Sequence, residues 1–381
     1  MGYVAVTGGQ KAIEAADQLN LWYRLKDTEH SLETTDIEKQ LRHLVDRVMS
    51  ESGLYAPNYA ALAIKQAEGD LCEAAFLMRA YRSTLERTYE SLTIDPGRMR
   101  VIRRISSAFK DIPGGQILGP TMDYTHRLLN FSLNHENSAE MMNILREKVP
   151  DLKLSQPPVF QKVAKLLREQ GLLFPPKSSG TLFDITRDKL SFPAPRSAKL
   201  QILARGETGA MTALAYSNMR SHIANHPTIG ELRVGYAEVT IAYPLDASES
   251  ICLGEIMITE VETINAFERD EQGEVKLRLG YGLTFGQNET KAIAMAILEQ
   301  SLETEGPSPT QDEEFVLLHV DSIEANGFVS HLKLPHYITF QSKLDVLRQT
   351  QKIATATADK KRQINAQKEG QNDAGKAETN I

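Results

Sequence analysis

The apolar positions of this chain follow two different periods. Ile37, Leu41, Leu44, Val45 and Val48 recur at helical spacing, and Phe76, Leu77, Tyr81 and Leu85 repeat it, so roughly the first 90 residues predict packed helices. Thr35 with Glu38 offers a capping-box start, Pro57 a first helical position, Gly69 a stop, and Asp70 with Glu73 the next start. Ahead of them Tyr3-Val4-Ala5-Val6 alternates toward a short strand, followed by Gly8-Gly9 and a helical run from Lys11 to Leu19. That order is either a weak phosphate loop or a turn that needs glycine. Beyond about residue 200 the period falls to two, and Glu231 to Ile241, Ile251 to Glu262 and Val275 to Phe285 predict strands. Glu289 to Leu302 predicts a helix, while Asp312 to Val320 suits either state.

Between these regimes Pro150, Pro157-Pro158, Pro175-Pro176, Pro193 and Pro195 interrupt short periodic runs, which places a boundary there. The expected architecture is α+β: a mainly helical region over 1–195, a mixed sheet-and-helix region over 196–345, and a tail over 346–381. From residue 352 onward Ile353, Ile364 and Ile381 are the only large apolar residues. Such a tail cannot bury enough surface to offset ordering, so it reads as flexible, disordered or held by a partner.

With 43 Lys+Arg against 50 Asp+Glu the formal charge is −7, which argues against broad adhesion to nucleic acid. No stretch approaches the roughly 18 consecutive apolar residues of a membrane span, and no basic-then-apolar leader opens the chain, so the expected location is the cytoplasm. Cys72 and Cys252 are the only cysteines, too few for a disulfide framework or an all-cysteine metal site. No nucleophile elbow, HExxH or CxxC is present, which weakens the common hydrolase and zinc-finger readings.

The segment His331-Leu332-Lys333-Leu334-Pro335-His336 places two imidazoles five residues apart around a proline. That spacing is wrong for one helix face, and Pro335 disfavours helix at Leu334, so the pair belongs on a turn or strand end. Neutral imidazole suits zinc, yet two ligands leave a tetrahedral site open, and ordinary polar histidines are the bland alternative. A second candidate is the basic run Arg98, Arg100, Arg103, Arg104 and Lys110, read as a helix leading into Pro113-Gly114-Gly115, which suits a polyphosphate or phosphonate as well as a solvated face. Gly280-Tyr281-Gly282 with Gly286 approaches a strand-to-helix phosphate loop, but its third glycine is displaced, and glycine relieving a strand kink competes with it. Asn225-His226-Pro227 and Asp312-Glu313-Glu314 could each supply an acid or base without an evident partner.

Several of these blocks resemble the PhnI family, a subunit of the bacterial carbon-phosphorus lyase core complex. They are Tyr3-Val4-Ala5-Val6 with Gly8-Gly9; Arg103-Arg104-Ile105-Ser106; Lys110-Asp111-Ile112-Pro113-Gly114-Gly115-Gln116; and Asp123-Tyr124-Thr125-His126-Arg127-Leu128-Leu129. Asn225-His226-Pro227, Gly280-Tyr281-Gly282-Leu283, Gln311 to Leu317 and Gly327 to Tyr337 continue the likeness, while about Phe131 to Ser191 and the long tail depart from it.

The resemblance implies a subunit that helps an alkylphosphonate displace adenine from C1′ of ATP, giving a ribose 1-phosphonate 5-triphosphate. It also implies a purine nucleosidase activity when water replaces the phosphonate, and Zn2+ at His331 and His336 shared with a partner subunit. Mg2+ would accompany ATP, and Arg103, Arg104, Lys110 and Lys333 are the candidate substrate-binding cations. The implied partners are a second copy of the chain and the other complex subunits, namely G, H, J and the ATPase-like K and L. Displacement at C1′ passes through an oxocarbenium-like state, so an acid must help the purine leave, with Asp312, Glu313 or Glu314 as candidates. The competing reading is a structural scaffold whose neighbours supply the active site.

Overall fold

The computed structural model describes residues 9–148, 159–175, 182–221, 226–270 and 272–377. The strand expected at Tyr3 to Val6, Gly8, Asn225 and the prolines at 150, 157, 158 and 176 lie outside them. The chain parts into two compact units, one of Ile13–Asn326 and one joining Met1–Ala12 to Gly327–Ile381.

In the larger unit the predicted helices form, with one break. α2 (Thr34–Gln40) and α3 (Arg42–Ser52) part at Leu41, whose φ of −109° and ψ of 40° leave the helical region. Thr35 is not a cap: Glu33 precedes the helix and no side chain bonds its first turn. Pro57 opens α4 (Pro57–Gln66), Gly69 takes a φ of +91°, and the Asp70 carboxylate accepts from the Glu73 amide at 3.1 Å to start α5 (Leu71–Ser83). Ile37, Val45, Val48 and Met49 bury themselves against Ala60, Ile64, Ala74 and Met78. The earlier α1 (Gln10–Leu25), which begins in the smaller unit, buries nothing.

The basic run is a strand rather than the expected helix. β1 (Arg100–Ile105) pairs antiparallel with β2 (Thr228–Tyr243), and β3 (Asp246–Arg269) and β4 (Val275–Phe285) follow in a four-stranded meander of order β1-β2-β3-β4. The boundary expected near residue 195 therefore falls inside one unit, because β1 from the first stretch completes a sheet built by the second.

Short helices α6 (Ser138–Lys148) and α7 (Val163–Glu169) precede α8 (Arg196–Arg205) and α9 (Thr208–Ser221). α10 (Glu289–Ser301) is the central helix. Its outer side joins Leu203, Met211, Ala215 and, from α11 (Glu313–His319), Val316 in the largest core cluster, while Ala292 and Ala296 press on the sheet. Gly280 and Gly282 of β4 admit that approach: a Cβ on Gly282 would lie 2.0 Å from the Ala292 carbonyl oxygen, and one on Gly280 2.3 Å from that of Ala296. These two glycines open space for a helix backbone rather than for a phosphate.

α12 (Ser322–Ser330) leads into the smaller unit, where a 3-10 turn (His331–Lys333) precedes α13 (Tyr337–Ala377). α13 continues to Ala377 through the tail, whose Ala, Gln, Lys and Arg favour helix, and its side chains as far as 367 stay largely exposed, as expected of a segment too poor in apolar residues to pack. No helix among the described residues is long and apolar enough to cross a membrane.

Candidate functional site

The histidine turn is built as the proline spacing required. Leu334 is extended, with ψ of 164°, so His331 sits in the 3-10 turn and His336 just before α13. The two rings stand 5.2 Å apart between centroids. Nδ1 of His336 meets the Leu334 carbonyl at 2.6 Å, and Nδ1 of His331 meets the Phe328 carbonyl. A carbonyl accepts only, so each Nδ1 carries the proton and each Nε2 keeps its lone pair for a ligand. Zinc at about 2.0–2.1 Å from two such nitrogens separates them by roughly 3.3 Å, which rings this close can reach. The donor set fits zinc with two of its ligands; no group of three or more His, Cys, Asp or Glu suited to a metal occurs among the described residues. Lys333 lies between the histidines and is exposed.

Arg103 and Arg104 sit elsewhere, in the larger unit, and both are fully buried. Arg104 donates to Glu231 at 2.6 Å, to the carbonyls of Pro113 and Gly115, and to that of Gln161 at 2.9 Å. Arg103 donates to Glu289 at 3.0 Å, to the Leu118 carbonyl and to Asp123. With every guanidinium nitrogen engaged and both side chains fully buried, this pair clamps the loop after β1 and does not present itself to a polyphosphate. Lys110 is exposed. The acidic run is structural too: Asp312 caps α11, and Glu313 holds Lys199 at 2.9 Å and the Ala194 amide, leaving exposed Glu314. His226 is exposed, its Nδ1 3.1 Å from the Pro227 carbonyl.

Sequence reasoning missed a cavity of about 290 Å³ at the outer edge of β4. On one face of the strand pair, Glu262 lies opposite Tyr281 in the ladder, with Lys162 reaching over them from before α7. On the other side stand Arg196 of α8 and Glu299 of α10, and Phe174, Pro175 and Leu279 supply apolar wall. Lys162 is held between Glu260 and Glu262, 3.5 Å from the latter. The second oxygen of Glu262 is buried and has no hydrogen-bond partner. Burial, more than any neighbour, pushes the Glu262 carboxyl above the ordinary range, and burial does the same to Glu299. Glu299 is nonetheless fully used: Arg196 Nε donates to it at 2.8 Å and the Tyr281 amide at 3.1 Å. The Tyr281 hydroxyl donates to Glu260 at 3.1 Å, and desolvation holds its own proton on. Two carboxyls alternating at 260 and 262 in a β-branched strand were the available signal, but alternation is also what a solvated face looks like.

The pattern of the PhnI family, described as a bacterial phosphonate metabolism protein, matches residues 2–354. The chain is 51% identical over 367 residues to HtxH of Stutzerimonas stutzeri, provisionally named a C-P lyase subunit protein, covering 93% of this chain and 98% of that protein. It is 47% identical over 358 residues to the alpha-D-ribose 1-methylphosphonate 5-triphosphate synthase subunit PhnI of Escherichia coli, covering 92% and 98% of the two chains. The same-named subunit of Rhizobium meliloti is 42% identical over 359 residues, covering 91% and 94%. A family pattern that runs from residue 2 to residue 354, with relatives matched almost end to end, makes the chain a member of the PhnI family.

Proposed function

We propose that this chain is a subunit of a C-P lyase assembly and, with its partners, joins methylphosphonate to C1′ of ATP with loss of adenine. The nearly end-to-end likeness to proteins named as subunits of that synthase carries the reading. A β-nucleotide giving an α-ribose product requires inversion at C1′, hence a single displacement rather than a covalent glycosyl intermediate. The phosphonate is already an anion, so the protein must bind it, protonate the departing purine and keep water from C1′. Without the phosphonate, water at the same carbon gives purine release, the nucleosidase outcome.

His331 and His336 would hold zinc through Nε2, completed by groups from a partner subunit. Bound there, zinc supplies a Lewis acid with open positions for an oxyanion. Mg2+ enters with the ATP phosphates, and the exposed Lys110 and Lys333 are available to anionic substrate groups.

A scaffold role is the second reading, and one observation favours it: Tyr124, Leu128, Leu129 and Phe131 are 74% to 84% exposed on one short segment, as surfaces covered by other chains are. Chromatographic detection of free adenine separates the two. Incubation of the purified chain with ATP and Mg2+ releases adenine if the chain itself cleaves the glycosidic bond. Release that requires the co-purified complex, and survives every pocket and histidine variant of this chain, supports the scaffold.

A further inference from the structure

We propose that the cavity at the outer edge of β4 receives the ribose-purine junction of the nucleoside triphosphate, with Glu262 as the proton donor to the leaving purine and Arg168 and Arg196 as ligands of its phosphate oxygens. This rests on the synthase reading above.

Glu262 has the geometry of a donor. It is 4% exposed, yet it lines the cavity, and one of its oxygens finds no partner in the protein. An orphaned buried carboxyl oxygen has lost its hydration without a replacement unless a ligand satisfies it. Its other oxygen lies 3.5 Å from Lys162, whose tighter partner is Glu260; the ammonium and Arg168 favour the carboxylate, but burial and the neighbouring Glu260 and Glu231 outweigh them. Burial shifts the balance toward the protonated carboxyl, the form that can give a proton to a leaving base.

The other two acidic neighbours are excluded by their contacts. Glu299 has both oxygens committed, and what it does is aim Arg196, whose terminal nitrogens make no hydrogen bond among the described residues. Glu260 is neutralised by Lys162 and by Arg233 at 2.8 Å. Arg168 lines the same cavity from the exposed end of α7, and its guanidinium makes no hydrogen bond or ion pair among the described residues. Arg278, by contrast, is held by Glu268 and lies over Phe174 at 4.9 Å. Two guanidiniums with free terminal nitrogens beside a buried carboxyl with an unpartnered oxygen and an apolar wall match the two ends of a nucleotide.

The step balances. The C1′–N9 bond breaks and its electron pair goes to the purine; the Glu262 proton passes to a purine ring nitrogen. A phosphonate oxygen supplies the pair for the new C1′–O bond. The Glu262 carboxylate then regains a proton from the phosphonate monoanion or from solvent.

The test is Glu262→Gln, which keeps the shape and removes the acid, in the complex co-purified with its partner subunits. With ATP and methylphosphonate, adenine release should fall by about 100-fold or more. With an N7-methylated purine nucleoside triphosphate, whose base is already cationic and leaves without protonation, the same variant should return to within a few-fold of wild type. Undiminished release from ATP overturns the assignment, and so does an equal loss on both substrates, which marks structural damage. Arg168→Ala should raise KM for ATP about tenfold with kcat retained; an unchanged KM removes the phosphate role. A wild-type complex that releases no free purine base from either nucleotide defeats the synthase reading itself, and this proposal with it.

Discussion

Lys291 offers a test of how burial sets charge in this fold. Its side chain is wholly buried on α10 and its Nζ donates to the Ser50 hydroxyl at 2.8 Å; Glu51, Arg47 and Glu207 complete the seam between α3 and the start of α9. Arg47 holds Glu51 at 2.8 Å and also pairs with Glu207, and Thr208 donates to Glu51, so most of the nearby negative charge is already spoken for. Burial consequently lowers the Lys291 pKa to about 7, with Glu51 opposing the shift and Arg79 adding to it.

A lysine whose folded value is depressed penalises folding below that value, and the penalty fades as pH rises toward the unfolded value of about 10.4. Stability should therefore climb between about pH 7 and about pH 10, by up to about 1.4 kcal/mol per pH unit from this group alone. Lys291→Met keeps the length and deletes the titration. Urea denaturation followed by far-ultraviolet circular dichroism, on wild type and variant across that window, should show wild type gaining on the variant by about 3 kcal/mol over two pH units. Below about pH 7 the variant should be the more stable, unless the lost bond to Ser50 offsets the gain. Parallel stability curves for the two proteins would refute the argument, because every other titrating group is common to both.

Three further outcomes follow from contacts described above. Gly282→Ala should destabilise the chain by about 3 kcal/mol, read as a lowered urea midpoint, because its Cβ meets backbone rather than a side chain that can turn away. Arg104→Met should cost about 3–5 kcal/mol by stranding Glu231, and adding Glu231→Met should recover much of it in a double-mutant cycle. His336→Ala should lower zinc in the assembled complex, measured by atomic emission, and full zinc occupancy in that variant would end the assignment of His331 and His336 as ligands.

Much of the fold was legible in the chain because it rests on apolar periodicity. The three strands from Glu231, Ile251 and Val275 stand where alternation put them, as do α10 and the helix opened by Asp70. β1 was hidden, because Arg103-Arg104 reads as surface when each charge is weighed by itself. Their acceptors, Glu231 and Glu289, are more than a hundred residues away, and only the folded sheet brings them together. The cavity was hidden for the same reason: Lys162, Glu262, Tyr281 and Glu299 are ordinary residues in sequence, and what sets Glu262 apart is a missing partner, which no local pattern records. The histidine turn was readable since Pro335 fixes its backbone locally.

The alternation Gly280-Tyr281-Gly282 also partitions the freedom of this sheet edge to change. Both glycines are pinned by the α10 backbone, so nearly any substitution at either opens the centre of the molecule. Tyr281 points the opposite way, toward Glu260, and its side chain is under no such constraint from the helix. Variation along β4 is thereby channelled to the position that lines the cavity. A lineage of such proteins could alter what the cavity accepts by exchanging one aromatic ring while the central helix keeps its seat.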